Sequence, residues 1–421
     1  MRILLTGANG FIGRTLLARL VGAGYDVIPA VRNPAQMDAI VGKSPVLAVD
    51  FNRDITPEAW TPRLAGIDAV INCAGILQGR RGQSIDAIHN AAPKALFAAC
   101  ERSGVRRVIQ ISAISIGADT EYARTKLAAD TALAASRLDW IILRPSLVYA
   151  SGAYGGTALF RALAALPFSI PVIGKGEQLF QPIHVDDLAS IILAILATPE
   201  LRTRVIAPVG PDRVALKDIL LDLRRWLGLP SAPVLRIPMA LVAVAARVGD
   251  MTGATINSTS LRQLEFGNIG SFDDVVSATG VRPRSWSDGL RASPAQAQDR
   301  WHARLYFLRP VLRWAIGATW IVSGLVGLLQ RAELAGRFSA FGITLDMRAV
   351  WLSCLVDLVL GFAVIARKPW ATVAQLVIVA LYTVALSIAQ PALWLDPFGP
   401  LLKNVPFIVA ILVLAAIETD R

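Results

Sequence analysis

The sequence predicts an α/β fold: a doubly wound parallel sheet with a small substrate-side region, followed by an all-α four-helix transmembrane domain. Three observations carry the prediction. A glycine-rich turn follows the first apolar strand. Short apolar strands then alternate with helical stretches over about 200 residues. Past Arg304 the chain becomes a succession of long, almost uncharged segments.

The elements follow in order. Residues Arg2–Leu5 form an apolar strand that runs into Thr6-Gly7-Ala8-Asn9-Gly10-Phe11-Ile12-Gly13, and a helical pattern covers Arg14–Leu20. A turn of this kind between strand and helix is the Rossmann-type site for a dinucleotide pyrophosphate. Gly7 allows the tight turn, Gly10 the approach of backbone to phosphate, and Gly13 the close packing of helix on strand. The helix N-terminus adds N–H donors and a positive dipole end. Further strands are expected at Asp26–Val31, Val46–Val49, Ala69–Cys73, Arg107–Ile111 and Trp140–Leu143. Each is short and rich in Val and Ile, as strands covered on both faces are. Residues 200–295 carry turns and short Pro-bounded pieces, read as the substrate-side region. The expected division is a nucleotide-binding domain over 1–295, a linker over 296–304 and a membrane domain over 305–421.

Trp314–Gln330 and Pro369–Leu395 carry no charge; Ala349–Ala366 carries only Asp357, and Phe398–Ile417 only Lys403. About 20 apolar residues cross a bilayer core, so four spans are expected. Soluble helices need a polar face, and these have almost none. Arg300, Arg304, Arg309 and Arg313 precede the first span, and Arg367 and Lys368 lie between the second and third. The positive-inside rule places both clusters in the cytoplasm, and four spans return Glu418–Arg421 there. Arg331, Arg337 and Arg348, between spans one and two, oppose this order. The first strand starts at residue 2, which leaves no room for a signal peptide. The expected location is the cytoplasmic membrane, with the nucleotide-binding domain and the C-terminus facing the cytoplasm.

Composition narrows the function. The chain is 54% hydrophobic and 17% charged, against about 25% charged in ordinary soluble domains. Its net charge is +11, shared between 33 Lys/Arg against 25 Asp/Glu in residues 1–304 and 9 against 6 in residues 305–421. No dense basic block with interleaved aromatics occurs, which argues against nucleic acid; an anionic membrane surface suits the sign. Cys73, Cys100 and Cys354 and the three histidines, His89, His184 and His302, are scattered. No disulfide framework or metal site is expected.

Several residues point to nicotinamide chemistry. The second strand ends at Arg32, where an NAD site usually has an acidic residue for the ribose hydroxyls; arginine suits a 2′-phosphate and favours NADP(H) over NAD(H). Asp50, after the third strand, can bond the adenine amino group or simply open a loop. Asn72-Cys73-Ala74-Gly75 closes the fourth strand with small residues, Ala74 and Gly75, beside the nicotinamide ribose. Asn90 can orient a water or a backbone kink on the next helix, or pack it. Tyr122 and Lys126 lie four apart, on one helix face. A phenol with a pKa near ~10 is a poor acid–base group at neutral pH, and a neighbouring ammonium lowers that value. Lys126 can also bond the nicotinamide ribose. Ser112, or else Ser115, supplies a hydroxyl for the substrate carbonyl; either can equally cap the turn. In the tail, Asp357, Asp396, Lys403 and Asn404 lie in or beside spans, where polar groups are costly and often functional.

At this point the chain resembles the short-chain dehydrogenases/reductases of extended or atypical type. Thr6-Gly-x-x-Gly-x-x-Gly13, Asn72-x-Ala-Gly75, Tyr122-x-x-x-Lys126, Leu143-Arg-Pro-Ser-Leu-Val-Tyr149 and Gln181-Pro-Ile-His-Val-Asp-Asp-Leu188 occur in the family's order. The likeness covers about residues 1–290. It is greatest to the atypical group that includes the nucleotide-binding accessory subunit of respiratory complex I. It implies Tyr122 as proton-exchanging residue, Lys126 as its support and Ser112 as oxygen-binding hydroxyl. The serine departs from the pattern: Ser112 stands ten residues before Tyr122 and Ser115 seven, where the family usually has about a dozen or more. The tail is similar to the DoxX-like membrane family, most distinctively over Trp394-Leu-Asp-Pro-Phe-Gly-Pro-Leu-Leu-Lys-Asn404.

Two functions fit. One is a membrane-tethered NADP(H)-dependent oxidoreductase or epimerase acting on a carbonyl or hydroxyl of a lipid-like or quinone-like small molecule. The other is a non-catalytic NAD(P)H-binding sensor or accessory module of a membrane (respiratory) complex with protein partners. A transporter is disfavoured, because four spans with few interior polar groups leave little room for a path.

Overall fold

The computed structural model describes residues 1–37, 45–77, 79, 82–152, 154–252, 256–333, 336 and 346–418; Arg337 and Arg421 lie outside them. Internal contacts divide the chain into two compact units, Met1–Ala303 and Arg304–Arg421.

The first unit is built on one parallel sheet of seven strands: β1 (Arg2–Thr6), β2 (Asp26–Val31), β3 (Leu47–Ala48), β4 (Ala69–Asn72), β5 (Arg107–Ile111), β6 (Asp139–Leu143) and β7 (Arg204–Ile206). Their order is β7-β6-β5-β4-β1-β2-β3. The order reverses between β1 and β4, which opens a crevice at the carboxyl ends of these strands. The sequence reading finds six of the seven. β7 has three residues, two of them exposed, so it lacks the apolar run that marks the others.

Strand alternation sorts side chains to the two faces. Ile3 and Leu5 pack with Leu16 and Leu20 of helix α1 (Phe11–Gly22) on one face. Leu4 lies in the opposite core with Leu96 of α2 (Ala92–Ser103) and Leu133 of α3 (Glu121–Ala134). Helix α1 starts at Phe11, three residues before the expected Arg14, with Gly10 as an extended N-cap. Phe11, Ile12 and Gly13 therefore form its first turn. Before α2, residues Ala87–Ala91 wind as a π-helix, a widening that often accompanies functional sites.

Beyond β6 the chain adds α4 (Gly155–Ala164), α5 (Val185–Ala197) and α6 (Leu216–Trp226). A third core gathers Tyr149, Phe180, Leu220 and Trp286. Arg284 closes this region with a two-pronged ion pair to Asp187, Nη2 to Oδ1 at 2.8 Å and Nε to Oδ2 at 2.9 Å.

The second unit is helical. Helix α7 (Ala297–Leu329) includes nearly all of the segment expected as a linker. Helices α8 (Met347–Ile365), α9 (Ala371–Ala389) and α10 (Asn404–Ile417) follow. Helices α7, α8 and α9 are long and apolar enough to cross a membrane. The expected fourth span is not realised at full length: α10 has 14 residues, ~21 Å at the helical rise, against a core of ~30 Å. The cause is local. Asp396 Oδ1 accepts from the Phe398 N–H at 2.8 Å, and Gly399 takes a left-handed φ of +57°. Pro400 follows, so residues 398–403 form turns.

The intramembrane polar groups find partners between helices. Ser323 donates to Asp357 at 2.8 Å, Trp320 Nε1 to Gln375 Oε1 at 3.2 Å, and Asn404 Nδ2 to Thr383 Oγ1 at 2.8 Å. Lys403 is exposed. A Cβ on Gly361 would lie 2.7 Å from the Gly317 carbonyl oxygen. Glycine at this crossing lets the α7 and α8 backbones approach closely.

Candidate active site

The crevice begins with three side chains in register. Thr6 pairs with Asn72 across β1 and β4, and Asn72 with Gln110 across β4 and β5. Thr6 Oγ1 donates to Asn72 Oδ1 at 2.5 Å, and Asn72 Nδ2 donates to Gln110 Oε1 at 2.7 Å. Asn72 Oδ1 also accepts from the Ala74 N–H at 3.2 Å. This buried chain fixes how the two strands turn out of the sheet. Thr6 thus serves the frame of the crevice.

The phosphate turn leaves no room for side chains. Gly7 has φ +65°, and a Cβ there would meet the Cys73 carbonyl and the Ala74 nitrogen at 2.9 Å. A Cβ on Gly13 would stand 2.1 Å from the Gly7 oxygen. Gly10 N–H donates to that oxygen at 2.9 Å, and Arg14 Nε donates to the Asn9 carbonyl at 3.0 Å. Ile12 packs against the α1 core. The Phe11 ring stacks on Tyr154, with centroids 5.5 Å apart and planes 6° from parallel. The cradle fits a nicotinamide dinucleotide, whose pyrophosphate requires bare backbone at these positions.

Arg32 stands exposed just past β2. Gln83, with its amide oxygen turned to the guanidinium, accepts from Arg32 Nη2 at 3.1 Å. Asp50 closes its own turn: its Oδ1 accepts from both the backbone N–H and the side-chain amide of Asn52 at 3.0 Å. Burial raises the Asp50 carboxyl, but the Asn52 bonds and the charges of Arg53 and Arg32 prevail and hold it below its usual range.

Helix α3 carries the acid–base candidates. Thr120 caps its N-terminus, accepting from the Ala123 N–H at 3.1 Å. Lys126 is only 4% exposed, and its Nζ donates to the Ile111 carbonyl at 3.0 Å and the Ala74 carbonyl at 3.5 Å. Burial brings its ammonium down to about 8, partly offset by Asp130. Tyr122 moves the other way. Burial, then the charge of Asp130, pushes its phenol up to about 12. The expected lowering by Lys126 is therefore not found; desolvation dominates.

Ser112 extends the β5 end, and its Oγ donates to Asp130 Oδ2 at 2.8 Å. The same oxygen receives Arg144 Nε at 3.0 Å. Ser115 is buried in the short helix Ile114–Gly117. Asn90 Nδ2, in the π-helical segment, donates to Oδ1 of Asp86, which precedes that segment, at 2.8 Å.

Two residues that the sequence reading omits complete the site. His89 meets the Tyr122 ring edge-on at 5.1 Å. Its Nε2 accepts from the Ile76 N–H at 3.0 Å, so Nδ1 carries the proton and donates to Thr125 Oγ1 at 3.3 Å. Burial and the Lys126 charge depress the imidazole to about 2, which keeps it neutral. Gly75 makes the approach possible: a Cβ there would lie 3.2 Å from Lys126 Nζ and 3.4 Å from His89 Nε2. Asp130 is the second omission. It continues the spacing Tyr122, Lys126, Asp130 along one helix face, a periodicity present in the sequence.

Comparison with known proteins bears on the two parts of the chain. A family described as NAD(P)H-binding matches residues 7–199, and the DoxX-like family matches residues 317–412. A ceramide reductase of Caulobacter vibrioides is 25% identical over 264 residues, 62% of this chain and 80% of the relative. The mitochondrial NADH dehydrogenase [ubiquinone] 1 alpha subcomplex subunit 9 of Arabidopsis thaliana is 28% identical, over 57% of this chain and 62% of the relative. Among solved structures, a UDP-glucuronic acid 4-epimerase from Bacillus cereus, in complex with UDP-glucuronic acid and NAD, superposes with a TM-score of 0.53. That match has 21% identity and covers 73% of this chain and all of the epimerase; it speaks to the fold. The first unit is thus an NAD(P)H-binding Rossmann domain with short-chain dehydrogenase- and epimerase-like relatives. The chain joins it to a DoxX-like domain of apolar helices that associates with the membrane.

Proposed function

We propose that the chain is a membrane-tethered, NADP(H)-dependent oxidoreductase that interconverts a carbonyl and a hydroxyl on a lipid-like small molecule. The observation that carries this reading is the Tyr122–Lys126 pair on one face of α3, Tyr122 half-buried and Lys126 buried, with Lys126 Nζ held by the Ile111 and Ala74 carbonyls. A bound nicotinamide nucleotide supplies or accepts the hydride. Asn9, Phe11 and Ile12 with Gly7, Gly10 and Gly13 would hold its phosphates on the frame that Thr6 fixes, Ala74, Gly75 and Lys126 its nicotinamide side, and Asp50 its adenine side.

Tyr122 would exchange the proton at the substrate oxygen. A phenol pushed up to about 12 is protonated at neutral pH, which suits donation to a carbonyl, the reductive direction. When its Oη gives up the proton, the Lys126 ammonium stabilises the phenolate. His89 walls one edge of the Tyr122 ring. Ser112 gives its one proton to Asp130, so its lone pairs would accept from the substrate in the hydroxyl form.

Preference for NADP(H) rests on Arg32, exposed at the strand end where the 2′-phosphate would come. The lipid-like substrate rests on the membrane unit and on the likeness to a ceramide reductase. Placement in the cytoplasmic membrane, with the nucleotide domain inside, rests on Arg304, Arg309 and Arg313 before the first span and Arg367 and Lys368 after the second.

The test uses the full chain in detergent with NADPH and either ceramide substrates or a native lipid extract. Lipid-dependent NADPH oxidation that Tyr122→Phe abolishes supports the reading. A second reading, an accessory module of a membrane complex, draws on the likeness to the plant respiratory subunit. It predicts NADPH that stays unoxidised with every lipid fraction and co-purification with membrane protein partners. Oxidation by the extract excludes it.

A further inference from the structure

One end of the helical unit forms a half-open cavity of about 280 Å³, near the lower limit of small-ligand sites. Arg309 and Arg313 reach it from α7, Arg367 and Lys368 from the turn between α8 and α9, Gln375 from α9, and Glu418 from the end of α10. Among the described residues its lining therefore carries four cations and one carboxylate. That carboxylate is already engaged, because Glu418 pairs with Arg313, which is itself 5% exposed. Neither Arg309 nor Lys368 meets a carboxylate among the described residues. The carbonyl ends of α8 and α10 balance part of the charge, and an excess of cation remains.

The arrangement is built. Arg309 and Arg313 are one helical turn apart on one face of α7. Arg367 adopts φ +56°, a conformation sparsely populated outside glycine. The turn is locked there by Arg367 N–H to the Val364 carbonyl at 3.1 Å and Lys368 N–H to the Ala363 carbonyl at 3.0 Å. Gln375 is 2% exposed and accepts from Trp320 through Oε1. That bond leaves the amide NH2 as its donor end.

We propose that this cavity is a binding site for a phosphate anion, presented either as the phosphodiester headgroup of a membrane lipid or as free phosphate. Two arginines suit the oxygens of a phosphate with paired N–H donors, and Lys368 adds a point charge. Helices α7 to α9 are long enough to cross a bilayer; α8 ends and α9 begins beside the cavity, and the uncharged run of α7 starts at Trp314, just past Arg313, so the cavity lies at the depth at which headgroups reside. Apolar Val364, Ala371 and Leu414 share its wall, so acyl chains could lie along the helices below the headgroup.

The experiment is native mass spectrometry of the full-length chain in neutral detergent, with phosphatidylglycerol, phosphatidylcholine or inorganic phosphate added separately. Thermal unfolding follows the same additions. We expect one retained phosphatidylglycerol per chain, held at least about tenfold better than phosphatidylcholine. The double substitution Arg309→Gln/Lys368→Gln should bring retention to the phosphatidylcholine level, with NADPH binding unchanged as the sign that the chain is folded. Arg331→Gln/Arg348→Gln, which removes basic residues outside the cavity, should leave retention as in the unaltered chain. Stabilisation by inorganic phosphate that the first pair abolishes would assign the site to the free anion; retention of the lipid alone assigns it to the headgroup. Equal retention of the two lipids without a phosphate response, or equal loss in both double variants, overturns the proposal.

Discussion

Ser112 gives its hydroxyl proton to Asp130 at 2.8 Å, on the carboxylate oxygen that also holds Arg144. Burial raises the Asp130 carboxyl, while the Ser112 bond and the Arg144 charge act in the opposite sense. Ser112→Ala removes one of these two donors from a carboxylate that is 1% exposed. The expected loss of stability is about 1–3 kcal/mol, read as a lower unfolding midpoint. An unchanged midpoint would show that the bond carries no weight.

Tyr122→Phe keeps the ring against His89 and removes only the proton-bearing oxygen. Turnover should fall by about 10²–10⁴-fold. NADPH affinity, followed by fluorescence titration, should stay within about twofold. Turnover that survives would move the acid–base role elsewhere.

The Lys126 ammonium, brought down to about 8 by burial, gives NADPH affinity a pH dependence. The charged form, which can bond the ribose, prevails below about pH 8, and the neutral amine prevails above it. Affinity should therefore weaken as pH rises through that value. Lys126→Met should bind more weakly throughout and lose the dependence. A flat profile for the unaltered chain would contradict Lys126 as a ribose ligand.

Two glycines of α1 should respond oppositely to alanine. At Gly13 the new Cβ would stand 2.1 Å from the Gly7 oxygen, whereas at Gly22 nothing lies within 4 Å. Gly13→Ala is expected to abolish nucleotide binding and to cost about 1–3 kcal/mol of stability. Gly22→Ala should bind normally and gain about 0.4–1 kcal/mol. Isothermal titration and thermal unfolding of the pair check both.

Arg32→Glu exchanges a cation for an anion where a 2′-phosphate would sit. A charge-assisted bond of about 1.5–3 kcal/mol corresponds to a loss of about 10–150-fold in NADPH affinity, with NADH nearly unaffected. Equal losses for both nucleotides would remove the basis for an NADP(H) preference.

Much of the nucleotide side was legible in the sequence because the constraint there is local. The Gly7-to-Gly13 spacing encodes a turn in which Gly10 and Gly13 close on Gly7 itself, although Gly7 in turn abuts Cys73 and Ala74 far along the chain. Tyr122 and Lys126 announce themselves by helical period. Ser112 was ambiguous because its partner, Asp130, lies 18 residues on, and only the packing of β5 against α3 joins them. His89 was silent for a related reason: its bonds go to Ile76 and Thr125, 13 and 36 residues away. The phenol's upward shift was missed because sequence shows charge spacing but not desolvation. In the tail, composition gave the apolar segments. The turn at Asp396–Gly399, which shortens the last helix, is a matter of local hydrogen bonding that hydropathy does not register.

The Arg284–Asp187 clamp sets how much chain the nucleotide domain needs in order to stand alone. The matched NAD(P)H-binding portion stops at residue 199, yet Asp187 inside it has its cation 97 residues downstream. Val275 is wholly buried in the core that holds Ile3 and Ile191. A chain severed near residue 200 would strand a shielded anion, remove the edge strand β7 and uncover the part of the core that Val275 covers. The smallest autonomous folding unit is thus expected to reach at least past Arg284, with the stretch from 200 onward acting as a structural keystone.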